Sequence, residues 1–331
     1  MTILITGGGG FLGRSIAKAL RERGLAVRSL ARNDYPQLAA LGVEQLRGDL
    51  ADAEAVMRAT DGCEAVFHVA ALVEMWGPYE RFFATNVLGT RHVIAACVAQ
   101  RVPKLIYTST PSVVHGGDAV AGVDESAPYP DHFEAHYPAT KAIAERELLA
   151  ANSSTLATCA IRPHLVWGPG DSSMLPRVLA KARSGRVRHI GAPQTIDACY
   201  IDNAVDAHLA AYDRLIPGGG PPAGKAYFIT QGEPLSGHDF LDQLLDAAGL
   251  PKITKTIGVG PAMLAARVAE RVWTTLRLRG EPPITRFVVS QLSTAHWYDI
   301  GAAKRELGYA PRVSHAEGMA RLRAWLREHP C

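Results

Sequence analysis

Apolar positions in the first half of the chain fall into short runs of strand character separated by longer stretches of helical period. TILIT opens the series, followed by FLGRSIAKALRER, AVRSLA, AVFHVAAL, the helical FFATNVLGTRHVIAACVAQ and KLIYTST. Strands alternating with helices of that length require crossover connections, so they build a parallel sheet buried on both faces. The pattern predicts a doubly wound α/β core of Rossmann type. A helix over 138–150 then leads into TLATCAIRPHLVWG, a predicted sixth strand.

Beyond Gly168 the texture changes. GPGDSS, a basic helix over 176–184 and the connection IPGGGPPAGK break the alternation, and strand-like segments at 198–201 and 226–229 are expected to return to the sheet. The rest reads as mostly helical. The division predicted is a core over 1–168 with returning segments near 196–230, and a smaller helical cap over 169–195 and 231–331. That cap would cover the carboxyl edge of the sheet, where doubly wound folds bind ligands. No repeat or low-complexity tract appears.

With 331 residues, 47% hydrophobic and 20% charged, the chain is able to bury a large core, and a formal charge of +3 is too slight to argue for nucleic acid. Cys63, Cys97, Cys159, Cys199 and Cys331 are odd in number and lack the paired spacing of a zinc or redox site. They read as reduced thiols in a cytoplasmic protein, with no metal site. No basic region precedes the first apolar run, which ends in glycine, unlike a signal peptide. Arg, Glu or Asp interrupts every apolar stretch short of the roughly 18 residues a bilayer span needs, so no integral membrane segment is expected.

Gly7, Gly10 and Gly13 form G-x-x-G-x-x-G directly after the first strand and at the mouth of the first helix. Such a turn lets backbone approach a pyrophosphate whose charge sits at the positive helix end. The end of the second strand then bears on which dinucleotide is bound. An NAD site normally places an acid there, whereas VRSLARND has Ala31 at that position and Arg32 next. A guanidinium holds a 2′-phosphate through paired charge-assisted bonds, which favours NADP(H), with Arg28 assisting if it faces the same side. The competing reading has Arg32 solvated and Asp34 turned inward. Asp49, in GDL after the third strand, is placed to accept from an adenine amino group or is a plain turn aspartate.

Tyr137 and Lys141 in HYPATKAIAE are four apart on a predicted helix and share one face. An ammonium beside a phenol favours the phenolate, so the tyrosine pKa is expected to fall from about 10 by about 1 to 3. Upstream, YTSTPSVV presents hydroxyls at the carboxyl edge. Thr110, Ser109 and Ser112 compete for the role of substrate hydrogen-bond donor, and Ser112 shares a side with Thr110 if the backbone there is extended. With the glycine turn, this set points to hydride transfer to or from a carbonyl.

These landmarks, together with HVAA at 68–71, NVLGT at 86–90, IRPHLVWGPGD and YIDNAVDAH, resemble the extended short-chain dehydrogenase/reductase family in order along nearly the whole chain. The resemblance implies that Tyr137 exchanges the proton, that Lys141 tunes it and binds the nicotinamide ribose, and that Thr110 stands where the family usually has serine. It also implies a cofactor site of Gly7, Gly10, Phe11, Leu12, Gly13, Arg32, Asp49, Leu50, Ala70, Ala71, Lys141 and Pro163, with Ser112, Thr110 and Tyr137 against the substrate. Within the family the chain looks most like the 3β-hydroxysteroid dehydrogenase branch, and HVAALVEMWGPYERFFATNVLGT is similar to bacterial 2-alkyl-3-oxoalkanoate reductases of long-chain olefin biosynthesis. That likeness implies NADPH-dependent reduction of a β-keto acid with apolar chains, a homodimer, and association with other enzymes of that pathway.

Two local features bear on the substrate. PAMLAARVAERVWTTLRL spaces Met263, Leu264, Val268, Val272, Trp273 and Leu276 on a helical face that either lines an alkyl channel or packs in a core or dimer contact. Arg177, Lys181, Arg183, Arg186 and Arg188 either steer a carboxylate or form a solvated face. The rival readings are a sterol or sterol-4-carboxylate dehydrogenase, a nucleotide-sugar epimerase or dehydratase, and a non-enzymatic NADP-sensing regulator. The regulator would have no need of Tyr137 and Lys141.

Overall fold

The computed structural model describes residues 2–329, so Cys331 lies outside the described residues. Seven strands form one parallel sheet: β1 Thr2–Thr6, β2 Ala26–Ala31, β3 Glu44–Arg47, β4 Cys63–His68, β5 Lys104–Thr108, β6 Ala157–Pro163 and β7 Lys225–Ile229. Their spatial order is β7-β6-β5-β4-β1-β2-β3. The chain order reverses between β1 and β4, the point at which an open α/β sheet leaves a crevice beyond its strand ends.

Successive strand residues point to opposite faces, and here both sets are apolar, as a sheet covered on two sides requires. Ile3, Ile5, Phe67, Ile106 and Ile161 join one core with Ile16 and Leu20 of helix α1 (Phe11–Glu22). Leu4, Val66, Leu105 and Tyr107 join a second with Val56 of α2 (Ala53–Thr60), Val93 of α3 (Tyr79–Ala99) and Leu148 of α4 (His136–Ala150). Cys63, Cys97, Cys159 and Cys199 are all buried free thiols, and burial pushes each thiol upward, Cys97 to about 12.

Two sequence expectations need correction. The segment at 198–201 does not rejoin the main sheet, because Cys199–Tyr200 pairs with Val166–Trp167 in a separate two-stranded ribbon. Only β7 returns, alongside β6. The predicted sixth strand likewise ends at Pro163, and Leu165, in a left-handed conformation (φ 42°), turns the chain before the ribbon begins.

The second correction concerns the C-terminal half, which is not purely helical. Leu235–Ser236, Thr195–Ile196, His296–Tyr298 and Val120–Val123 form a small four-stranded sheet that joins the cap to the loop after β5. Around it lie α5 (Met174–Arg183), α7 (Gly237–Ala247), α8 (Val259–Thr275), α9 (Arg286–Ser293) and α10 (His315–Glu328), while α6 (Ile201–Arg214) packs on the main sheet beside α1.

Helix α3 is by length and composition alone apolar enough to cross a membrane, despite its Glu80, Arg81 and Arg91. It is the crossover between β4 and β5, with Val87, Val93, Ala96 and Cys97 turned into the core.

Candidate active site

Gly7, Arg32, Asp49, Ala70, Thr110 and Pro163 stand at or just beyond the carboxyl ends of β1, β2, β3, β4, β5 and β6 in turn. The parallel sheet therefore gathers residues scattered between positions 7 and 163 onto one edge.

The glycine turn is shaped by close approach. Gly7 has φ of +73°, and a Cβ there would sit 2.8 Å from the Ala70 Cα. A Cβ on Gly13 would sit 2.3 Å from the Gly7 carbonyl oxygen, so α1 is able to start against the turn only because residue 13 has no side chain. Gly10 precedes α1 without any side-chain cap, and no acid occupies the first turn, leaving the amides around Phe11 and Leu12 without a side-chain acceptor. Tyr35, which the sequence reading did not single out, lays its ring over Gly9. Only its place beyond the second strand could have marked it.

Arg32 is exposed and makes no ion pair among the described residues. Asp34 does not turn inward, since Arg47 grips it at 2.8 Å through Nε. Arg28 faces away from this edge: it donates to Glu44 at 2.8 Å and to the Ala59 and Asp61 carbonyls. Asp49 is exposed, one carboxylate oxygen taking the Ala51 amide at 2.9 Å, while Leu50 is buried behind it and its carbonyl meets the His92 ring.

A buried relay holds the loop at Ala70 and Ala71. The Ala70 amide donates to Thr6 Oγ1, whose hydroxyl lies 2.7 Å from His68 Nδ1, and His68 Nε2 lies 2.9 Å from Thr90 Oγ1, which donates to the Asn86 carbonyl. These partners assign the proton to Nε2, and burial, aided by the Lys141 charge, lowers the His68 pKa to about 3. Asn86, on a π-helical turn of α3, takes the Leu72 amide at 2.7 Å and donates to the Thr140 hydroxyl at 3.0 Å. It ties the loop after β4 to α4. Asn86 belongs to the NVLGT landmark, but its positioning role follows only from these contacts.

Tyr137 and Lys141 occupy the first two turns of α4, which begins at His136, ahead of Pro138. Thr110 stands beside Tyr137, and the Thr110 hydroxyl donates to that of Ser112 at 3.3 Å. Ser112 reaches it from a short 3₁₀ turn, Pro111–Val114, not from extended backbone. Ser109 is buried, its Oγ without a hydrogen-bond partner among the described residues.

The expected fall in the tyrosine pKa does not occur in this structure. Burial raises Tyr137 to about 12 against the opposing pull of Thr110. The Lys141 ammonium is directed elsewhere, donating to the Thr108 carbonyl at 2.5 Å and standing 3.9 Å over the Tyr107 ring. Burial also lowers Lys141 itself to about 7, with Glu145 one turn further along α4 opposing the fall. Glu145 in turn pairs with Arg162 at 2.6 Å and receives the Tyr129 hydroxyl at 2.6 Å, both ion-pair partners being almost wholly buried.

Comparison with known proteins places this geometry. Residues 4–257 match the model of the 3-beta hydroxysteroid dehydrogenase/isomerase family. The chain belongs to that family. A 2-alkyl-3-oxoalkanoate reductase of Stenotrophomonas maltophilia is 50% identical over 98% of this chain and 99% of its own length. One of Shewanella oneidensis is 43% identical over 97% and 85%. Among solved structures, gox2253 superposes with a TM-score of 0.79 at 26% identity, covering 99% and 98% of the two chains. This member of the 3-beta hydroxysteroid dehydrogenase/isomerase family is an oxidoreductase of the short-chain dehydrogenase/reductase superfamily.

In this family member the cap does not treat the sequence-marked segments alike. Met263 packs inward on Ala262, Ala266 and Val289, but Leu264, Val268, Val272 and Leu276 face solvent, so that stripe lines no channel. The cleft beside the start of α4 is lined instead by Met75, Trp76, Phe82, His136, Glu270 and Phe287. Of the basic run, Arg177 pairs with Glu281 at 3.4 Å, Lys181 donates to the Pro283 carbonyl, and Arg188 to the Gly185 and Val187 carbonyls. These cations brace the cap.

Proposed function

We propose that the chain reduces the 3-keto group of a 2-alkyl-3-oxoalkanoate to the 3-hydroxy acid with NADPH, as one step of long-chain olefin formation in the cytoplasm. The observation that carries the reading is that Tyr137 and Thr110 stand together at the sheet edge, in a chain half identical to a reductase of that name.

The residues fit a dinucleotide. The uncapped start of α1 and the side-chain-free turn at Gly7, Gly10 and Gly13, with Phe11 and Leu12, would hold the pyrophosphate. Asp49 and Leu50 would meet the adenine, Ala70, Ala71 and Pro163 the nicotinamide side, and Lys141 the ribose. Arg32, without an ion-pair partner among the described residues while Arg47 engages Asp34, would hold a 2′-phosphate. When bound, the reduced nicotinamide supplies the hydride.

Thr110 and Tyr137 would offer their hydroxyls to the keto oxygen of the substrate. A phenol kept near pKa 12 is fully protonated at neutral pH, which suits a proton donor. The alkoxide formed by hydride addition is more basic than this phenolate, so the proton moves downhill from Tyr137 to the substrate oxygen. Residues 169–195 and 231–331 would serve as the substrate-binding cap.

The test is NADPH oxidation measured in parallel with a 2-alkyl-3-oxo acid, a 3-oxosteroid and a nucleotide sugar. Fastest turnover of the keto acid is expected. Faster turnover of either rival substrate overturns the assignment.

A further inference from the structure

Most of the large apolar side chains that the molecule leaves in water are concentrated on one element and its immediate extension. Leu264, Val268, Val272 and Leu276 recur every four residues along α8 and its C-cap, at 63%, 55%, 38% and 64% exposure. Leu278 follows at 42%. The opposite side of the helix is occupied: Ala262 and Ala266 pack on Ile190 and Val289, and Glu270 is held by Arg286 at 2.6 Å. The exposed stripe is therefore a second apolar face on a helix already docked through its first. A contiguous apolar strip of this kind in a folded protein marks a surface that meets something.

The charges around it say what. Every exposed charged residue between Val259 and Gly280 is an arginine: Arg267, Arg271, Arg277 and Arg279. The acids in and beside this segment turn inward, Glu270 to Arg286, and Glu281 to the Met75 amide at 2.9 Å and to Arg177. A second copy docked face to face would set these arginines against its own. An apolar ridge edged by cations alone is complementary to a surface that is anionic outside and apolar just beneath.

The geometry points to α8 and the segment to Arg279 as a site that docks the protein on anionic phospholipid bilayers, the leucines and valines entering the acyl boundary and the arginines pairing with phosphates. The inner side of the same helix contributes Glu270 to the cleft lined by His136 at the start of α4, so docking would place the mouth of that cleft near the bilayer surface. The inference rests on the surface and not on the substrate.

Co-sedimentation of the full chain with vesicles of phosphatidylglycerol and phosphatidylcholine, against phosphatidylcholine alone, tests it without any turnover measurement. The anionic vesicles should retain the protein and the neutral ones should not. Arg267→Gln/Arg271→Gln should weaken partitioning about 30-fold, which corresponds to about 2 kcal/mol for two basic contacts. Leu264→Asp/Val268→Asp should abolish it while leaving NADPH oxidation with a short, water-soluble β-keto acid unchanged. Failure of the wild type to bind, or binding indifferent to lipid charge or to both double variants, overturns the proposal. So does a dimer in sedimentation velocity that Leu264→Asp/Val268→Asp dissolves, which would assign the face to a second copy.

Discussion

Replacing Lys141 with methionine isolates the electrostatic cost of the buried ammonium. Burial takes Lys141 from its ordinary 10.5 to about 7 in the folded chain. At about 1.36 kcal/mol per pH unit, the charged form destabilises the fold by at most about 5 kcal/mol. The folded pKa lies below the unfolded one, so the unfolded chain binds more protons between pH 7 and 10.5, and stability rises with pH across that window. About 2 kcal/mol of the rise falls between pH 7 and pH 9 once partial protonation of the folded state at pH 7 is included. Lys141→Met removes this slope. It also removes the donor to the Thr108 carbonyl, a loss of about 1 kcal/mol that does not vary with pH. Urea unfolding of ligand-free wild type and variant at pH 7 and pH 9 reads the difference, because groups common to both proteins cancel. The gap between the two should shift by about 2 kcal/mol in favour of the wild type on going to pH 9. Parallel pH profiles would refute the reasoning.

Gly13→Ala drives a Cβ onto the Gly7 carbonyl and should cost about 1–3 kcal/mol and weaken NADPH binding at least about tenfold. Gly10→Ala, whose Cβ would meet nothing nearer than 3.3 Å, should lower the melting temperature less than Gly13→Ala; calorimetry that shows no contrast in melting temperature between the two would count against the account. Arg32→Ala should raise KM for NADPH about 10- to 100-fold and leave KM for NADH near its wild-type value, and an equal change in both would remove the case for a 2′-phosphate contact. Glu145→Gln leaves the Arg162 guanidinium buried without its anion, at a cost of about 3–5 kcal/mol in urea unfolding. A variant as stable as the wild type would show that this pair is not the anchor of α4.

The core of the molecule was legible because its signals are local. Doubled apolar periodicity in TILIT and KLIYTST, and glycines between a strand and an amphipathic helix, identify buried parallel strands and a phosphate-binding turn without long-range information. The small sheet was not legible: Val120–Val123 and His296–Tyr298 are short and pair across more than 170 residues, so neither carries a local strand signature. The stripe at 264–276 shows the complementary difficulty. Spacing establishes that those residues share a face, but only packing establishes that Ala262 and Ala266 opposite them are the buried side. Tyr137 and Lys141 were placed on one helix correctly, yet adjacency in sequence did not reveal that Lys141 turns to the Thr108 carbonyl, or that burial sets the phenol with only Thr110 opposing it.

The central claim is that the Tyr137 hydroxyl delivers the proton to the substrate oxygen. Steady-state turnover of a 2-alkyl-3-oxo acid by Tyr137→Phe, measured alongside NADPH affinity by fluorescence titration, addresses it directly. The account predicts a loss of turnover of about 10²- to 10⁴-fold with NADPH affinity retained. Turnover at the wild-type rate in that variant would contradict it.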